Sequence, residues 1–155
     1  MPPGDGWVRC ARGHRHWGLF GAAGLLLRHH DSTGADWLLM QHRSWWSHHG
    51  DTWGLLGGAR MPEESAEQAA SREAWEEAAL PTASYRLTGS YTDDHGGWSY
   101  TTVLADAGSL VPVDPATGLS AESAEVRWVR RDELHRLPLH PGFAATWEQV
   151  ASLLG

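Results

Sequence analysis

Between Gly57 and Leu80 the chain reads GGARMPEESAEQAASREAWEEAAL, and this stretch constrains the fold more than any other. Residues three and four apart share one face of a helix, so Glu73, Glu76 and Glu77 project side by side. Like charges at that spacing repel and weaken an isolated helix. A hard divalent cation would neutralise them, and carboxylate oxygens suit Mg²⁺, with Mn²⁺ the alternative. Ser65 with Gln68 three residues on forms a capping box that starts the helix. Ala66, Ala69, Ala70 and Ala74 give it a small-residue face for close packing on a sheet, and Pro81 stops it. An acidic solvated face would explain a bare pair of glutamates. It does not explain the fixed spacing from the double glycine to Glu64, Arg72 and the three helix carboxylates.

That spacing resembles the Nudix box, G-x5-E-x7-R-E-U-x-E-E-x-G-U with U a bulky aliphatic residue. Gly58, Glu64, Arg72, Glu73, Glu76, Glu77 and Leu80 match it in register. Ala74 replaces the bulky aliphatic residue and Ala79 the glycine near the helix end; neither change removes a charged group. A left-handed Ala79 would cost roughly 1–2 kcal/mol, so the helix is expected to run on to Pro81. Upstream, Trp53-Gly54-Leu55-Leu56-Gly57-Gly58 resembles the family's approach to the box.

The resemblance implies an α/β fold, a Nudix-type α/β/α sandwich around a mixed sheet, over about residues 17–153. It also implies a pyrophosphohydrolase acting on a nucleoside diphosphate linked to another group. In that reading Glu73, Glu76, Glu77 and the Gly58 carbonyl hold the metal, and Arg72 pairs with Glu64 to steady the helix against the glycine loop. The catalytic base is open between Glu76 and Glu122. Glu122 lies six residues before Trp128, where the family often places a further ligand or base, and Glu125 is its rival. Substrate contacts are expected from Gln41, Arg43, Gly57 and Asp93. Trp98 and Tyr100 either stack on a base or fill the core.

Composition narrows the partners. The 155 residues suit one domain, read as a loose arm over 1–16 and a single domain over 17–155. Twelve Lys plus Arg against 19 Asp plus Glu, net −7, argue against duplex nucleic acid or an anionic membrane. They leave a small nucleotide substrate met through a metal, and a homodimer is compatible. The single cysteine, Cys10, excludes an internal disulfide and suits a reducing cytoplasm; the first residues lack the basic start and apolar core of a signal peptide. Cys10, His14 and His16 carry metal-ligand chemistry, but a closed zinc site takes four ligands and no partner pair stands out. His48 and His49 are adjacent and read as solvated.

In chain order, Trp17–Leu27 is expected as a strand buried on both faces, pairing with Trp37–His42 as a hairpin. Tyr85–Thr92 and Trp98–Ala105 flank a turn at 93–97. A strand over Glu125–Val129, a short helix from Arg131 and a last helix over Ala144–Leu154 complete the chain.

The box names the diphosphate and not what is attached. Compactness inclines the reading to nucleoside triphosphates, oxidised dGTP included. ADP-ribose or another nucleotide sugar is the alternative within the family. Two non-enzymatic readings differ in class: a nucleotide-sensing module, whose box would have lost a charged residue, and an interaction protein using Trp45-Trp46.

Overall fold

In a computed structural model, residues 2–44, 47–113 and 123–155 are described. The strands are β1 (Trp7–Arg9), β2 (Arg15–Trp17), β3 (Ala22–His30), β4 (Asp36–Arg43), β5 (Trp53–Gly54), β6 (Leu56–Ala59), β7 (Tyr85–Asp94), β8 (Ser99–Ala107) and β9 (Ser123–Arg130). The helices are α1 (Ala66–Ala78) and α2 (Pro141–Leu154), with 3-10 turns at Thr82–Ser84 and Arg131–Arg136.

β3 organises the sheet. It runs parallel to β8 from Ala22↔Tyr100 to Arg28↔Asp106, and β8 in turn pairs antiparallel with β7. Along its other edge β3 changes partner: residues 22–25 pair with β6, and only residues 28–30 pair with β4. The two central strands therefore diverge, and β5 and β6 fill the gap, β5 on β4 and β6 on β3. β9 lies on the far side of β4. Splitting the sheet at this point delivers the glycines of β6 to its middle, directly ahead of α1.

Alternating side chains give the sheet two apolar faces. Ala23, Leu25 and Leu27 of β3 pack with Ala69, Ala70, Ala74 and Ala78 of α1. Leu26 packs with Phe143, Val150 and Leu154 of α2 on the other face. A helix on each side of a mixed sheet is the α/β/α sandwich expected, and the expected burial of β3 on both faces holds.

Four local expectations change. The first 16 residues are not loose: β1 and β2 pair from Trp7↔Trp17 to Arg9↔Arg15, and Cys10 is buried. The first long strand starts at Ala22 rather than Trp17, because Gly18 (φ 114°) and Gly21 (φ 87°) turn the chain between β2 and β3. Helix α1 ends at Ala78, with Ala79 left-handed at φ 52° and ψ 35°, instead of running to Pro81. Ala79 N–H donates to Trp75 O (2.9 Å) and Leu80 N–H to Ala74 O (3.3 Å). That bend carries Leu80 into the core at 0% exposure. Burying a leucine is worth about 1.5–3 kcal/mol, which outweighs the left-handed alanine at about 1–2 kcal/mol. The last helix also begins earlier than expected, at Pro141, because His140 Nδ1 caps it by accepting from Gly142 N–H at 3.0 Å.

Candidate active site

Helix α1 starts where the sequence places its cap. Ser65 Oγ accepts from Gln68 N–H (3.1 Å) and Gln68 Oε1 accepts from Ser65 N–H (2.9 Å). The β6–α1 connection holds Glu64, whose Oε1 also accepts from Met61 N–H at 3.0 Å.

Arg72 is the hub of the site. Its Nε donates to Glu64 Oε2 (2.8 Å) and its Nη2 to Glu64 Oε1 (2.9 Å), a bidentate pair. Nη2 also donates to the Ala59 carbonyl at 3.0 Å, which ties the helix to the end of β6. Nη1 turns the other way, to Glu73 Oε1 at 2.9 Å and Glu76 Oε2 at 3.2 Å.

Glu77 lies one helical turn on from Glu73, and it is 3% exposed. Its Oε1 accepts from Gly57 N–H at 2.8 Å, and its Oε2 accepts from the buried Gln41 amide. The two glycines of the approach lie close against their neighbours, Gly57 against backbone and Gly58 against the Glu73 side chain. A Cβ on Gly57 would stand 2.5 Å from Ala23 O, against the neighbouring strand. On Gly58 it would stand 2.6 Å from Glu73 Oε1, so the carboxylate lies directly over that α-carbon.

The carboxylates split by environment. Hydrogen bonds from Arg72 hold Glu64 below the usual glutamate range. Burial pushes Glu77 up to about 8, with the charge of Glu73 adding to it. Burial likewise pushes Glu73 up to about 7, with Glu76 adding. Such groups are held next to one another at a cost in charge, and the cost falls when a cation enters. Hard oxygen donors around a glycine-lined floor fit Mg²⁺ or Mn²⁺. Glu73, Glu76 and Glu77 are the residues that would hold it.

Other expected site residues take distinct places. Gln41 sits behind the cluster and supports Glu77. Arg43 ends β4, its Nε donating to His48 O at 2.9 Å. The Tyr100 hydroxyl fills the space a Gly24 side chain would take, and burial, then the charge of Glu77, raises its pKa far above the usual tyrosine value. Trp98 stands further out, 6.4 Å from Tyr100 between ring centroids, and stacks flat on His16 at 3.9 Å. Asp93 Oδ2 bonds His95 Nε2 at 2.7 Å. The structure therefore turns Asp93 and Trp98 toward the N-terminal hairpin. Glu125 faces His42 across the β4–β9 pair and lies 3.7 Å from Arg127. Glu122 and Trp45-Trp46 lie outside the described residues.

Sequence reading missed the contacts that join distant segments. Gln41 clamping Glu77 and the Ala59 carbonyl on Arg72 leave no local pattern. Only the run of small residues at 21–24 hints that something large, here Tyr100, must fit against it.

A split sheet, a glycine floor and a carboxylate helix pinned by one arginine set the Nudix-box residues together in one place. The family model for the NUDIX domain matches residues 19–150, and the chain belongs to the Nudix family. It is 48% identical over 153 residues to a Mycobacterium tuberculosis protein with the provisional name 8-oxo-dGTP diphosphatase 3, covering 95% of this chain and 69% of that one. It is 42% identical over 154 residues to a nucleoside triphosphate pyrophosphatase/Nudix hydrolase fusion protein of Bifidobacterium longum, covering 98% of this chain and 32% of that one. Among solved structures, the M. smegmatis Nudix hydrolase RenU superimposes with a TM-score of 0.87 at 46% identity, over 97% of this chain and 95% of the other. The chain is a Nudix pyrophosphohydrolase. Members of the family generally use divalent metals, and no helix among the described residues is long and apolar enough to cross a membrane.

Proposed function

We propose that this chain hydrolyses nucleoside triphosphates, oxidised dGTP among them, to the monophosphate and pyrophosphate with Mg²⁺ as its cofactor. The observation that carries the metal is the convergence of two carboxylates, the buried Glu77 and the partly buried Glu73, on the Gly57–Gly58 backbone, where burial raises Glu73 to about 7 and Glu77 to about 8. The substrate class is supported by the printed names of relatives at 48% and 42% identity, both of which concern nucleoside triphosphates.

When bound, Mg²⁺ would neutralise diphosphate charge and lower the pKa of a water molecule. The residues of this chain have separate tasks. Glu77 is fixed from behind by Gln41 and Gly57, so its oxygens stay in place as a ligand. Arg72 restrains Glu73 and Glu76 while anchoring itself on Glu64 and Ala59, a positioning role. Glu76, at 35% side-chain exposure, is the most open of the three clustered carboxylates and can take a proton from attacking water. Glu122 is the alternative base. Tyr100 walls the floor beside Gly24.

The test is a pyrophosphate-release assay over canonical and oxidised nucleoside triphosphates, ADP-ribose and nucleotide sugars, with and without Mg²⁺. Highest kcat/KM on a triphosphate supports the reading. Preference for ADP-ribose or a nucleotide sugar would replace the substrate class, and metal-independent turnover would remove the mechanism. In the same assay Glu122→Gln should lower kcat by about 10²-fold or more if Glu122 is the base. Should only Glu76→Gln do so, the base is on the helix.

A further inference from the structure

The histidines and the cysteine of the N-terminal hairpin form a second cluster that the hydrolase site does not use. Gly13 (φ 80°) closes the turn, with Cys10 N–H donating to His14 O at 2.9 Å and Gly13 N–H to Cys10 O at 2.9 Å. Val8 pairs with His16, so Cys10, two residues on, and His14, two residues back, fall on the same face as that pair. The Cys10 Sγ and a ring nitrogen from each of His14 and His16 all lie within 4.8 Å of one another. Ligands at about 2.0–2.3 Å from a tetrahedral zinc ion stand roughly 3.3–3.6 Å apart, so side-chain rotations that draw the three together would complete the set.

Buried polar atoms point to the same place. His16 Nε2 and His95 Nδ1 are both buried without a hydrogen-bond partner. The His95 ring meets the His16 ring edge-on at 4.7 Å. Its other nitrogen, Nε2, is bonded to Asp93 Oδ2 at 2.7 Å, the carboxylate–histidine arrangement that orients an imidazole toward a metal. His95 comes from the β7–β8 turn, against which the hairpin already docks: Ala11 N–H donates to Gly96 O at 2.7 Å, and Arg12 Nη2 to Asp94 O at 3.3 Å. His95 therefore stands beside the three-residue cluster as the nearest further imidazole, reached across the fold.

We propose that Cys10, His14 and His16, closed by His95, bind one Zn²⁺ ion that staples the N-terminal hairpin to the β7–β8 turn. One thiolate and three imidazoles select zinc over Mg²⁺, whereas the hard carboxylate cluster on α1 selects the reverse. The two sites are therefore separable by metal chemistry.

The experiment measures metal content after gel filtration in Mg²⁺ buffer with a reductant. It then follows titration of metal-free protein with Co²⁺ by absorption, since sulfur-to-cobalt charge transfer reports Cys10 alone. About one zinc per chain, a tetrahedral cobalt spectrum with that sulfur band, and a zinc-dependent rise in Tm are expected. Cys10→Ser changes one atom and His14→Ala an exposed side chain, so both variants fold; each should lose the bound zinc and the Tm response. His95→Ala should weaken zinc at least about tenfold, and Glu77→Gln should keep the full equivalent. Wild-type protein that retains no zinc overturns the proposal, as does a cobalt complex without the sulfur band. Unchanged zinc affinity in Cys10→Ser, His14→Ala or His95→Ala also overturns it.

Discussion

Glu64 and Glu77 are carboxylates of one motif, the first partly buried and the second buried, and their surroundings oppose each other. Glu64, before the helix, meets a bidentate guanidinium and a backbone N–H, which hold it ionised. Glu77, near the helix end, meets an amide and one N–H but no cation within its own hydrogen bonds, and burial raises it to about 8. The first is a finished interaction that fastens α1 to β6. The second lacks such a hydrogen-bonded cation among the described residues, and the proposed Mg²⁺ would supply that positive charge. Where a motif leaves charge uncompensated is where its chemistry lies.

The largest effect that would break this contrast is at Glu77. Glu77→Gln keeps shape and removes the charge, so kcat should fall by at least about 10²-fold, measured with saturating Mg²⁺. Its Tm without metal at pH 8 should hold or rise. Near-normal turnover would place the metal elsewhere.

Next comes Arg72→Ala, which takes the cation from a partly buried Glu64 and frees Glu73 and Glu76. Stability should drop by about 2–4 kcal/mol in a denaturant titration, and turnover should fall with it. A loss of turnover with full stability would make Arg72 a substrate contact instead.

The pH dependence sharpens the comparison. In the unfolded chain Glu73 and Glu77 release their protons near the ordinary glutamate value of 4.5, whereas in the fold they hold them to about 7 and about 8. The metal-free fold binds more protons across that window, so these two groups stabilise it at low pH and lose that contribution as pH rises through about 8. Glu64 runs the other way, its stabilisation present above 4.5 and lost on acidification. Metal-free Tm should therefore decline between about pH 5 and pH 8, and saturating Mg²⁺ should flatten the decline. The same slope in Glu77→Gln would assign it to other groups.

The smallest effect lies where the motif itself departs. Ala79→Gly should raise stability by about 1 kcal/mol, because glycine takes φ 52° without strain, and activity should stay unchanged.

Local pattern sufficed for α1 and its cap, since Ser65, Gln68 and the alanine face act within a few residues of one another. The same holds for the parallel register of glutamates and for β3, whose unbroken apolar run marks a strand covered on both faces. The resemblance carried by Gly58 to Leu80 was enough for the family and the reaction. What the chain could not disclose locally is everything made by joining distant segments. Gln41 reaches Glu77 across 36 positions, and Tyr100 meets Gly24 because β8 lies parallel to β3. Ala79 turns left-handed against its own preference because Leu80 gains a core that exists only once the sheet has formed. The hairpin read as a loose arm is ordered for the same reason, since the β7–β8 turn it docks on lies some 80 residues away. Propensity and spacing act over one or two turns of chain, and burial and charge act over space; the sequence alone determines the first, and only the folded arrangement decides the second.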